Sequence, residues 1–224
     1  MNLDELWAAV DRQRGRTADL LEELGPGEWT VPSLCEGWTV RDVAAHLTLQ
    51  QMTLGSALLS ALRHPGSLNH VISASARERA QLPRDRLIAE IRGMVGSRRH
   101  NVGVTPWETL IDIVVHGQDI AVPTGHRLEV EPDVAAAAAS RVWDGQLSRK
   151  GRRMAKVFRG LPYHGHRLAA SDIDWSVGEG PEIRGPVLAL LLLLTGRPVV
   201  IPELSGDGRT ALAADLGLGG DEPT

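Results

Sequence analysis

The sequence predicts an α+β protein: a helical bundle over residues 1–147, followed by a small α/β domain over residues 148–224. Three observations lead there. Apolar residues recur at helical spacing through the first 147 residues. A basic, glycine-containing stretch, Ser148 to Lys156, interrupts that pattern and reads as a linker. Beyond His166 the pattern changes to short strand-like runs separated by turn residues.

The first element is an amphipathic helix within Met1–Gly25. Leu3, Leu6, Trp7, Val10, Leu21 and Leu24 form its apolar stripe, with Arg12, Arg14 and Arg16 placed off that stripe, and Pro26 and Gly27 stop it. Pro32 to Thr39 reads as an ordered loop, and Thr39 with Asp42 resembles a capping box. The helix so begun carries Val40, Val43 and Leu47 inward and runs to about Arg63, where His64-Pro65-Gly66 breaks it. A less regular helix follows from Leu68 to about Gln81. Pro83 then opens another, bearing Leu87, Ile88, Ile91, Met94 and Val95. The basic run Arg98-Arg99-His100 is either a solvated helix end complementing the carbonyl dipole or an anion clamp.

Thr105, Pro106 and Glu108 open the next helix as N-cap, first helical position and capping-box acid. Trp107, Leu110, Ile111, Val114 and Val115 face a core, and Pro123 and Gly125 end the helix. Asp112 and His116 are four residues apart, so they share a face one turn apart, with Asp119 about one turn further. On spacing alone this pair reads as a helix-surface ion pair or a capped core histidine. His46 on a different helix changes the reading. His46, Asp112 and His116 on two facing helices would give three ligands and one open position, the pattern of a catalytic rather than a structural zinc site.

The chain from Pro132 to Leu147 is helical through its alanine run. His166–Ser171 and Trp175–Val177 read as strands joined by a turn at Asp172–Asp174. Gly178 to Pro181 forms a second turn, and Ile183 begins a further strand. The two glycines Gly178 and Gly180 fit neither a P-loop nor a dinucleotide fingerprint. Pro186 opens a helix whose apolar run, Val187–Leu194, falls well short of the ~20 residues a bilayer requires. Arg197 follows the Gly196 stop and is expected to face an interdomain cleft. A short helix lies within Asp207–Asp215, and the glycine-rich tail beyond it is expected to fray.

Composition narrows the function classes. Hydrophobic residues make up 42% and support a packed core; a net charge of −4 argues against nucleic acid or an anionic membrane as partner. The single cysteine, Cys35, rules out an intramolecular disulfide and fits a reducing cytoplasm. Without an evident neighbouring base, Cys35 reads as a packing residue. The N-terminus lacks the pattern of a signal peptide.

Three stretches, PSLCEGWTVRDVAAHL, DIVVHGQDIAVPTG and SDIDWSVGEGPEIRGP, taken in order, resemble the maleylpyruvate isomerase family of mycothiol-dependent proteins. The resemblance implies a DinB-like, up-down N-terminal bundle that binds a divalent metal, zinc above all, and a smaller C-terminal α/β domain. It maps the metal ligands onto His46, Asp112 and His116, with Asp112 standing where the family pattern has glutamate, one methylene longer. It also implies mycothiol as thiol cosubstrate and a small electrophilic substrate, turned over as an isomerase or S-transferase by a monomer or homodimer. Gln118 and Asp119 are candidates to orient His116. Two other readings stay open: a metal hydrolase using bound water, and a non-catalytic small-molecule-binding protein.

Overall fold

The computed structural model describes residues 1–101, 103–147 and 165–216. The expected linker, Ser148 to Lys156, and the tail beyond residue 216 lie outside the described residues. The chain divides into two compact units, Met1–Glu129 and Val130–Thr224. Together they make an α+β protein, as the sequence predicts.

In the first unit, helices α1 (Leu3–Glu23), α2 (Val40–Leu47), α3 (Leu54–Arg63), α4 (Leu68–Arg79), α5 (Arg84–Arg92) and α6 (Pro106–Ala121) form the bundle. α1 packs on α5 and α6, while α2 packs on α4 and α6. Leu6, Val10, Val40, Val43, Leu110 and Ile113 are wholly or almost wholly removed from solvent at these contacts. Gly117 lets α1 and α6 approach: a Cβ there would lie 2.5 Å from Leu128 Cδ2 and 3.3 Å from Thr17 Oγ1.

Two expectations for this unit change. The helix expected from Thr39 to Arg63 is two helices, because Leu47 ends α2 and Thr53 caps α3 by accepting from the Ser56 amide. The turn between them is held partly from outside, the Met52 amide donating to Asn101 Oδ1 at 2.8 Å. Arg14 does not lie on the polar face. It is fully buried, and its Nη1 donates to the carbonyls of Met94 at 2.9 Å and Ser97 at 3.0 Å, closing the chain end that follows α5. Burial pulls its guanidinium pKa down, against the opposing pull of Asp11 and Asp112.

The second unit contains α7 (Pro132–Leu147), β1 (Arg167–Ala170), β2 (Ser176–Val177), β3 (Glu182–Gly185), α8 (Val187–Leu194) and α9 (Asp207–Asp215). The sheet order is β2-β1-β3, with β1 antiparallel to β2 and parallel to β3. The turn between β2 and β3 needs glycine, since a Cβ on Gly180 would lie 2.0 Å from the Gly165 carbonyl oxygen. α8 is buried almost all round between α7 and the sheet. Trp175 Nε1 donates to Ser140 Oγ at 2.8 Å, tying α7 to the strand hairpin. α7 therefore belongs to this unit, and the compact units part at Glu129 and Val130, ahead of the boundary expected at residue 147. Arg197 is buried, its guanidinium donating to the Thr195 carbonyl. Among the described residues, no helix is long and apolar enough to cross a membrane.

Candidate metal centre

Local capping sets the two helices that carry the site. Thr39 and Asp42 form the capping box of α2, and Thr105 and Glu108 form that of α6, with Pro106 at its first turn. The preceding loop folds on itself: the Ser33 amide donates to the Trp38 carbonyl at 2.9 Å, and Pro32 bridges to Thr39. This places Trp38 edge-on to the His46 ring at 5.4 Å between centroids. The Leu34 amide also reaches the Asp119 carbonyl at 3.4 Å, pinning the loop to the end of α6.

His46, Asp112 and His116 come together. Nε2 of His46 lies 3.3 Å from Asp112 Oδ1, and Nε2 of His116 lies 3.4 Å from the same oxygen. The two rings sit 4.8 Å apart and nearly perpendicular, at 77°. One donor atom from each residue falls within 4.8 Å of the others. Two ligands on one tetrahedral zinc, each bonded at about 2.0–2.1 Å, lie about 3.3–3.4 Å apart. A charge-assisted hydrogen bond would draw nitrogen and oxygen to about 2.7–2.9 Å. Both imidazole nitrogens face one carboxylate oxygen at the longer distance, and two imidazoles with a carboxylate form a donor set that could hold a metal ion.

The surrounding hydrogen bonds are shorter. Gln50 Nε2 donates to Asp112 Oδ2 at 2.7 Å, leaving Oδ1 to face the histidines. His116 Nδ1 lies 2.7 Å from Asp119 Oδ2. When Nδ1 carries the proton in this bond, Nε2 keeps its lone pair toward Asp112, the orientation a metal-binding imidazole needs. Of the two residues expected to orient His116, Asp119 therefore reaches it. Gln118 turns away and donates to the Leu128 carbonyl at 2.8 Å. Cys35 also belongs to the site: its Sγ donates to Asp119 Oδ2 at 3.0 Å and lies 3.7 Å from His116 Nδ1. Cys35, His116 and Asp119 could themselves hold a metal by donor type. Their 2.7 and 3.0 Å spacings are those of a hydrogen-bonded chain.

Burial disfavours charge on Asp112, but His46 and then His116 outweigh it and hold the carboxyl well below its usual range. Burial also opposes charge on His116, yet Asp112, with Asp119 and Cys35 behind it, holds the imidazole well above its ordinary value. A cavity of about 100 Å³ adjoins the cluster, lined by His46, Asp112, Gln50, Glu108 and Asn101 among others. Arg98 and Arg99 do not line it. Arg98 pairs with Asp4 at 3.0 Å, and His100 stacks on Trp7.

Gln50 and Cys35 are the members that sequence reasoning missed. Gln50 sits one turn beyond His46 in register but past the end of α2. The only signal for Cys35 was its place in the loop before α2.

Fold and site together define a helical-bundle protein with a two-histidine, one-carboxylate cluster between two of its helices. Residues 10–103 match the family described as mycothiol maleylpyruvate isomerase N-terminal domain. That match agrees with the resemblance seen in the sequence. The matched span includes His46 and ends before Asp112 and His116. Over nearly its whole length the chain shares the fold of a mycothiol-dependent maleylpyruvate isomerase, with a TM-score of 0.61 at 14% identity. A histidine-to-alanine mutant of that isomerase gives 0.62 at 13% identity; each comparison covers 93% of this chain and 94% of the other. Two uncharacterized proteins of Mycobacterium tuberculosis, from strains CDC 1551 / Oshkosh and ATCC 25618 / H37Rv, are each 23% identical over 155 residues, 66% of this chain and 84% of theirs.

Proposed function

We propose that this protein is a divalent-metal- and mycothiol-dependent enzyme, an isomerase or thiol S-transferase acting on a small electrophilic substrate in the cytoplasm. The observation that carries the reading is the pair of imidazole Nε2 atoms directed at Asp112 Oδ1 at 3.3 and 3.4 Å. His46, Asp112 and His116 would hold the metal, zinc by donor type, and leave a position for an exogenous ligand. When bound, such an ion supplies Lewis acidity, which polarises a carbonyl and lowers the pKa of a thiol.

The chain's own groups prepare that position. Gln50 fixes which carboxylate oxygen of Asp112 faces the histidines. Asp119 holds the Nδ1 proton of His116. Trp38 packs edge-on against the His46 ring and restricts it. Cys35 is engaged as a donor to a buried carboxylate, so its thiol is not presented as a nucleophile. That arrangement favours an external thiol over a protein thiol, in keeping with the mycothiol dependence of the isomerase that shares the fold.

The test is turnover of maleylpyruvate, and of other small electrophiles, by the purified zinc-loaded protein with and without mycothiol. The reading requires turnover only when both metal and thiol are present. His116→Ala should lose metal and turnover together. Full activity in thiol-free buffer would replace this reading with a hydrolase that uses water.

A further inference from the structure

A second concavity lies in the first unit. Its volume is about 590 Å³, within the range of small-molecule sites, and the chain from Thr48 to Met52, together with α3, α4 and the end of α5, forms its walls. His46, Asp112 and His116 do not line it. Its apolar surface comes from Leu49, Met52, Leu59, Leu82 and Met94.

The polar groups facing this cleft are unequally satisfied. Arg79 is paired with Glu90, and Arg63 lies 3.9 Å from Glu78. Arg99 lines the cleft and makes no ion pair among the described residues, so one positive charge at the rim is left over. Ser75, only 9% exposed, has a buried Oγ without a hydrogen-bond partner. Gln51 accepts from Ser97 Oγ through its Oε1, while its Nε2 is buried and also without a partner. The unmet groups are thus a guanidinium, an amide N–H and a hydroxyl, all able to donate, beside an apolar floor. Leaving the Ser75 hydroxyl and the Gln51 amide buried and unpaired costs about 1–3 kcal/mol each. A ligand that brings acceptor oxygens and an apolar body would satisfy both features.

We infer that this cleft is a binding site for a small amphiphilic monoanion, an apolar skeleton ending in a carboxylate, sulfonate or similar oxyanion. The apolar part lies on Leu49, Met52 and Leu59. The anion meets Arg99, and its oxygens accept from Ser75 and Gln51. The site is independent of the proposed metal centre and stands whether or not that centre binds metal.

The full chain is titrated with two fluorescent probes of matched skeleton, anilinonaphthalene sulfonate and its uncharged counterpart N-phenylnaphthylamine. The anion should bind saturably at one site and more tightly than the neutral probe. Arg99→Gln should weaken the anion about 10-fold or more, the loss of one charge-assisted contact, and leave the neutral probe unchanged. Leu59→Asp, at a position 47% exposed and so tolerant of charge, should abolish anion binding. His116→Ala, with its circular dichroism preserved, should bind the anion as the parent does. Equal affinity for the two probes, indifference to both cleft substitutions, or loss of binding in His116→Ala would overturn the assignment.

Discussion

Asp119 makes the sharpest test of how the site is built. It is fully buried, and its Oδ2 takes hydrogen bonds from His116 Nδ1 at 2.7 Å and Cys35 Sγ at 3.0 Å. Asp119→Asn keeps the shape and an acceptor oxygen while removing the charge. Outer partners of a metal-binding histidine are typically worth 10–100-fold in metal affinity, or about 1.4–2.8 kcal/mol. Full burial at this distance leaves the charge little screened, so the loss should reach at least about 10-fold. An opposing effect has a different pH dependence. The Asp119 bond also helps raise the His116 pKa in the metal-free protein, so its loss eases competition from protons. That relief operates only where His116 would be protonated. The zinc deficit of the variant should therefore be largest on the alkaline side and shrink toward acid. Chelator competition across a pH series measures it, with circular dichroism confirming the fold. An alkaline affinity within about twofold of the parent, in a folded variant, would refute the role given to Asp119.

Three further outcomes follow from the same contacts. His116 is held well above its ordinary pKa without metal, so protons compete with a metal for its ring nitrogen. Zinc binding should thus release protons near neutrality and strengthen as pH rises through that pKa, which calorimetry in buffers of different ionisation enthalpy would reveal. Cys35→Ser preserves a donor toward Asp119 and should leave mycothiol-dependent turnover largely intact; loss of all activity with the fold preserved would make Cys35 the nucleophile. Arg14→Ala removes both bonds to the carbonyls of Met94 and Ser97 and empties a buried site, and should cost about 2–4 kcal/mol of stability in chemical denaturation.

The sequence by itself determined what depends on neighbours a few residues away. The capping boxes at Thr39 and Thr105 and the shared face of Asp112 and His116 are set by contacts within a turn or two. So is the switch from helical to strand periodicity, and with it the α+β class. Donor type on a second helix, and then the family motif, joined His46 to the other two, a pairing that spans 66 positions and that no local rule provides. The tertiary structure decided which groups meet across such distances. Gln50 reaches Asp112 from 62 positions away, and Cys35 reaches Asp119 from 84, because α2 and the loop before it pack on α6. Arg14 turns inward because two carbonyls beyond α5 need a donor that only a buried guanidinium supplies there. The alanine-rich helix α7 was legible as a helix, but its small side chains carry no address. It joins the second unit because α8, apolar on nearly every side, must be covered, and burying that surface is worth more than any preference written in α7 itself.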